Sequence, residues 1–123
     1  MLSDFYNIND KHIESSTARY NISFNREHPI YRAHFPEHPI TPGACLIQIC
    51  KELTENMIGE SLFLQTVKNV KFLKIIDPTE VVDVSVSLSV IKQECDYKVN
   101  VMILDVNEDI FSKMSLVFQS INL

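Results

Sequence analysis

Three prolines spaced three apart, Pro36, Pro39 and Pro42, restrict this chain more than any other feature. Each fixes its own φ, lacks a backbone donor and pushes the residue before it towards extended geometry. The stretch HFPEHPITP from His34 is therefore a stiff loop and not a helix. Thr41 reads as a helix N-cap, with Pro42 at the first helical position. Gly43 leaves room beside the first turn, whose N–H groups have no partner inside the helix. A rigid loop carrying an imidazole, His34, and running into exposed N–H donors suits chemistry on a carbonyl compound.

The helix is expected from Thr41 to Met57, with Gly59 as its C-terminal cap. Leu46, Ile49, Cys50, Leu53 and Met57 fall on one stripe at helical spacing. Ala44, Cys45 and Ile47 widen the apolar surface, so the start of the helix should be buried on most sides. Lys51, Glu52, Glu55 and Asn56 make the later turns wetter.

Elsewhere the period is two. Ala18, Tyr20, Ile22 and Phe24 alternate with Thr17, Arg19, Asn21 and Ser23, the pattern of a half-buried strand. Val82, Val84, Val86, Leu88 and Val90 alternate with Asp83, Ser85, Ser87 and Ser89 in the same way. Strands are expected over Val67–Ile76, Val81–Gln93, Tyr97–Val106 and Ile110–Ile121, separated by turn signals at Asp77-Pro78, Gln93–Asp96 and Asn107–Asp109. Residues 1–16 show no such pattern beyond an amphipathic turn around Phe5, Tyr6 and Ile8. Asn25–His28 reads as a polar turn closed by Pro29, with Ile30 and Tyr31 in a short extended piece. A strand, one long buried helix and then consecutive antiparallel strands make an α+β chain, with the sheet curled around the helix.

At 123 residues the chain is expected to be a single domain, 1–123. A net charge of −5 argues against nucleic acid as a partner. No apolar run approaches the ~20 residues that cross a bilayer, so no membrane span is expected. The start MLSDFYNINDKHIESS lacks a basic, then apolar, secretory pattern, which makes the cytoplasm the expected compartment. Cys45, Cys50 and Cys95 have no metal-like spacing and are expected to be reduced. Cys45 near a helix N-terminus is a weak candidate thiolate.

In this order of elements the chain resembles the hotdog-fold β-hydroxyacyl-acyl-carrier-protein dehydratases of the FabZ and FabA type. The matching residues are His28-Pro29, His34-Phe35-Pro36, Pro39, Pro42-Gly43 and Leu46, followed by Val67 to Phe72 and Asp77-Pro78. The resemblance implies that His34 takes a proton from C2 of a 3-hydroxyacyl thioester. It implies that the Gly43 N–H polarises the thioester carbonyl, with Phe35 and Pro42 beside the substrate. It also implies a dimer whose sites are shared between subunits, extending to a higher oligomer in some cases, and an acyl carrier protein as partner. No cofactor and no metal is implied.

The family's helix carboxylate, which protonates the leaving 3-hydroxyl, falls at position 48, where this chain has Gln48. General acid–base catalysis contributes typically ~10²–10⁴-fold. A carboxamide can hold a hydroxyl or a water but has no proton to give at neutral pH. Glu37 in the loop and Glu52 one helical turn on are candidate substitutes. Gln48 reads either as part of a solvated face or as a pocket residue facing a partner subunit, and the motif favours the second. His34 and His38 lack further ligands for zinc, and His12 and His28 read as surface residues. Lys68, Lys71, Lys74, Arg26, Arg32 and Lys51 form a candidate basic patch for an acidic carrier, against the plainer reading of a charged strand edge. Three functions stay open: a weakened (3R)-hydroxyacyl dehydratase, a hotdog protein that binds acyl thioesters without turning them over, and a hotdog thioesterase. The missing carboxylate weakens the last.

Overall fold

The structure, a computed structural model, describes residues 4–34, 37 and 39–121, the side chain of His34 excepted. Its elements are β1 (Tyr6–Glu14), β2 (Thr17–Phe24), α1 (Pro29–His34), α2 (Gly43–Ile58), β3 (Leu62–Phe72), β4 (Asp83–Lys92), β5 (Asp96–Leu104) and β6 (Ile110–Ser120). The six strands form one antiparallel sheet in the order β1-β2-β4-β5-β6-β3. Leu46, Ile49, Cys50 and Leu53 of α2 join the sheet's buried residues, among them Tyr20, Val86, Val99 and Leu116, in one core. This is the hotdog arrangement expected from the sequence.

The strand alternation predicts the inward residues well. Ala18, Tyr20, Ile22 and Phe24 are buried on β2, and Val84, Val86, Leu88 and Val90 on β4. Val82 lies before β4 and is exposed. Gly59 ends α2 in the left-handed region at φ 81°, and its N–H bonds the Glu55 carbonyl at 2.8 Å, a conformation that suits a residue without a Cβ.

Several expectations need correction. Residues 6–14 are not an amphipathic turn but an edge strand. Past Tyr6 all of β1 is exposed, so it carries no apolar alternation to read. Ile30 and Tyr31 are helical, because His28 caps α1: its Nδ1 accepts from the Ile30 N–H and its carbonyl from the Tyr31 N–H, both at 3.1 Å. His28 is thus half-buried, edge-on to the Phe5 ring, and not a free surface residue.

The N-cap of α2 is Pro42, not Thr41. The buried Thr41 hydroxyl is 3.0 Å from the Tyr31 hydroxyl instead. The start of α2 is also more open than expected, since Ala44 is exposed. The strand after the helix runs from Leu62 to Phe72 and pairs with β6, so the strands are not all consecutive neighbours.

Candidate functional site

The segment with the three prolines lies in sequence between α1 and Thr41. Tyr31, stacked on Phe5 at 5.3 Å between ring centroids, meets Thr41 through the hydroxyl pair. The Thr41 N–H donates to the Ile76 carbonyl at 2.8 Å. Burial pushes the Tyr31 phenol up to about 12, so its hydroxyl stays protonated. Both ends of the loop are therefore pinned to buried groups, with His34 just after one anchor. The His34 backbone closes α1; its side chain, Phe35, Pro36 and His38 lie outside the described residues. The zinc question at His34 and His38 lies outside them as well. Glu37 is exposed.

Pro42 and Gly43 stand at the mouth of α2, Pro42 as its N-cap and Gly43 as its first residue. A Cβ on Gly43 would lie 2.6 Å from Phe72 Cζ, so the ring from the end of β3 rests on the glycine. Beside this contact is a cavity of about 410 Å³, lined by Ile40, Pro42, Gly43, Leu46, Phe72 and Ile76. It is walled mainly by aliphatic and aromatic groups and opens next to the first turn of α2. An apolar chain fits such a wall, with a carbonyl near the Gly43 N–H; the Cys45 and Leu46 N–H groups donate to the Pro42 carbonyl.

Gln48 is half-buried. Its Nε2 donates to Glu52 Oε2 at 2.9 Å, and Glu52 Oε1 accepts from the Tyr6 hydroxyl at 2.9 Å. The sequence offers Glu52 by helical spacing alone; the structure places it in direct contact with Gln48. Tyr6 had no signal, since it opens a strand without alternation and lies 46 residues from Glu52. Phe72 closes the Val67 to Phe72 stretch of the resemblance, where it reads only as a strand hydrophobe.

Cys45 is not a thiolate, because burial raises its thiol and lowers its reactivity. The basic patch is partly spent on carboxylates: Lys51 lies 3.6 Å from Glu55, Lys74 3.7 Å from Asp109 and Arg26 3.8 Å from Glu27. Lys68 and Lys71 are exposed on β3. No described helix is long and apolar enough to cross a membrane.

Residues 10–113 match the model of the ApeI-like family, described as ApeI dehydratase. The chain belongs to the ApeI-like dehydratase family. It is 34% identical over 97 residues to the 3-hydroxyacyl-acyl-carrier-protein dehydratase FabZ of Wolbachia pipientis wMel, covering 67% of this chain and 64% of that one. The FabZ of Levilactobacillus brevis is 29% identical over 82 residues, covering 61% of this chain and 54% of that one. The chain thus spans between half and two thirds of the length of these relatives.

Among solved structures, the dehydratase heterocomplex ApeI:P from Xenorhabdus doucetiae superposes with a TM-score of 0.73 at 12% identity, over 91% of this chain and 96% of that one. A thioesterase-like protein, yhdA from Lactococcus lactis, gives 0.68 at 14% identity, over 93% and 91%. At these identities the ApeI-like chain shares the hotdog fold with both.

Proposed function

We propose that this ApeI-like protein is a single domain, 1–123, that acts on 3-hydroxyacyl thioesters carried by an acyl carrier protein in the cytoplasm. It converts them to trans-2-enoyl thioesters. The observation that carries the reading is the cavity beside Gly43, with a helix N-terminus at one wall and Gln48 further along the same helix. His34 removes a proton from C2, the Gly43 N–H draws charge onto the thioester carbonyl, and Phe35 and Pro42 flank the substrate. Loss of the 3-hydroxyl as water needs a proton, and Gln48 holds that hydroxyl without supplying one. Glu52 is the nearest carboxyl, and turnover is slow. The shared site needs a second copy: β3 is a sheet edge, and Phe63 and Val67 on it are each more than 40% exposed.

Two observations favour alternatives. The amide at 48 supports a hotdog dimer that binds acyl thioesters without releasing water. The Xenorhabdus assembly is by name a heterocomplex, which supports a mixed dimer whose second subunit brings the acid. The deciding experiment measures dehydration of 3-hydroxyacyl carrier-protein substrates by the wild type, His34→Ala and Glu52→Gln. Wild-type turnover lost in His34→Ala supports the enzyme. No turnover in any of them, with retained substrate binding, leaves the binding protein. Free thiol release would make it a thioesterase. Copurification from the native host tests the mixed dimer.

A further inference from the structure

The Gln48 amide is oriented by its neighbours. A carboxylate only accepts hydrogen bonds, and a protonated phenol can donate. Burial, then the charge of Glu52, pushes the Tyr6 phenol well above its usual range, so its hydroxyl keeps the proton it gives to Glu52. The bonds therefore run one way, from Tyr6 into Oε1 of Glu52 and from Gln48 Nε2 into Oε2. This decides which end of the planar amide is which. The nitrogen is turned to Glu52 and the carbonyl Oε1 lies on the other side. No donor among the described residues meets that oxygen.

We infer that Tyr6 and Glu52 are positioning residues that set Gln48, which does not line the cavity of its own chain, as a hydrogen-bond acceptor in the site shared with a second copy, and that this makes that pocket choose 3-hydroxyacyl over 3-oxoacyl and saturated thioesters. The inference rests on the thioester reading above and adds to it the residues that set the choice. A 3-hydroxyl donates to Oε1. A 3-oxo group brings lone pairs against lone pairs, and a saturated chain leaves the acceptor unpaired. Losing one partner of a hydrogen-bonded pair is expected to weaken binding about tenfold, which corresponds to about 1.4 kcal/mol. It also gives the exposed N-terminal strand a role in the site through its first residue.

The test uses the His34→Ala protein, which binds without turning substrate over. Binding of 3-hydroxyoctanoyl-, 3-oxooctanoyl- and octanoyl-pantetheine is measured by calorimetry, and the ratios are compared. The hydroxy compound is expected to bind about tenfold tighter than the other two. Adding Glu52→Ala frees the amide to turn either end inward, and the hydroxy-to-oxo ratio falls towards one. Adding Tyr6→Phe, which removes one hydroxyl, gives an intermediate ratio. A purely structural role would weaken all three ligands together and leave the ratios unchanged, which overturns the inference. Equal binding of the hydroxy and oxo compounds at the outset also overturns it alone. Binding of none of the three overturns the thioester reading and the inference with it. Should Glu52→Ala fail to fold, exchange of the Gln48 side-chain amide protons, read by NMR in Tyr6→Phe, decides. A severalfold faster exchange is expected, and an unchanged rate refutes the positioning role.

Discussion

The two edges of the sheet treat the central helix differently. On the β1 side the contacts are polar and directional: Tyr6 to Glu52 at 2.9 Å, Lys11 Nζ to Asn56 Oδ1 at 3.2 Å and Tyr20 to Asn56 Oδ1 at 2.7 Å. On the β3 side the Leu62 N–H donates to Glu55 Oε2 at 2.8 Å, an aromatic ring rests on a glycine, and Phe63, Val67, Phe72, Leu73 and Ile75 stay more than 40% exposed. Hydrogen bonds fix the orientation of a group, whereas apolar contact fixes only its proximity. The β1 side therefore holds Glu52 and Asn56 of α2, whereas Glu55 is held from β3. The β3 edge has register breaks at Leu64/Thr66 and Val67/Asn69, as β1 has at Ile8/Asp10, and is the edge proposed to meet a second subunit.

The largest effect should come from changing the charge on the β1 side. Gln48→Glu places a second carboxyl against Glu52. Two carboxylates in contact cannot both ionise readily, so one retains its proton near neutral pH. In the proposed reaction that proton would go to the leaving hydroxyl. Dehydration is expected to rise by about 10²-fold or more over the wild type, measured as enoyl formation. The gain should vanish in Gln48→Glu with His34→Ala. No gain would mean that position 48 does not face the substrate.

The corresponding change on the β3 side is Val67→Lys. A lysine on a free edge discourages pairing, so the variant should keep its circular dichroism and sediment as a monomer at micromolar concentration. A wild type that is itself monomeric would remove the shared site.

This contrast also explains what could be read before the structure. β2, β4 and the buried stripe of α2 were legible because one face of each is buried, which prints a period of two or of 3.6 into the residues. The Gly59 cap was legible because it answers a backbone demand that few residues meet, and Pro42 marked the helix start to within one position. β1 was not, since an edge strand exposed on both faces has no pattern to show. Thr41 has the right chemistry for an N-cap, but Tyr31 claims its hydroxyl from ten residues away. In the same way, the helical spacing of Gln48 and Glu52 was visible, while Tyr6 becomes their neighbour only through tertiary pairing. The local motif marks the start of α2, and a distant residue, Tyr6, bonds Glu52, the partner of Gln48, along it.

Smaller effects should follow at the loop anchor between the edges. Tyr31→Phe leaves the buried Thr41 hydroxyl without its partner, for a cost of about 1–3 kcal/mol in denaturant unfolding. If the anchor positions His34, kcat falls while KM changes little, and Tyr31→Phe combined with Thr41→Val recovers stability but not kcat. Alkali tests the same group. The Tyr31 phenol is raised from 10.0 to about 12, and burial raises the Cys50 thiol from 9.0 to about 12. Between those values the folded state binds more protons than the unfolded one, so stability falls as pH rises. The contribution is complete below pH 9 and is lost as the pH passes about 12. Tyr31→Phe should flatten part of that decline.

The smallest change in stability is expected at Gly43, where the apolar edge meets the helix. Gly43→Ala forces the Phe72 ring away, since the new methyl would stand 2.6 Å from Cζ. The ring is half-exposed and can swing outward, which limits the strain. Alanine also favours the helix over glycine by up to ~1 kcal/mol, and by less at its first residue. The two terms oppose each other, so the melting temperature should move by only a few degrees. Function should not be spared, because the methyl and the displaced ring occupy the cavity beside the first-turn N–H groups. Substrate binding should weaken in Gly43→Ala and recover partly in Gly43→Ala with Phe72→Ala, where the wall has room to accept the methyl. If the double variant binds no better than Gly43→Ala, the loss comes from the helix N-terminus itself, and Phe72 is only a bystander to the site.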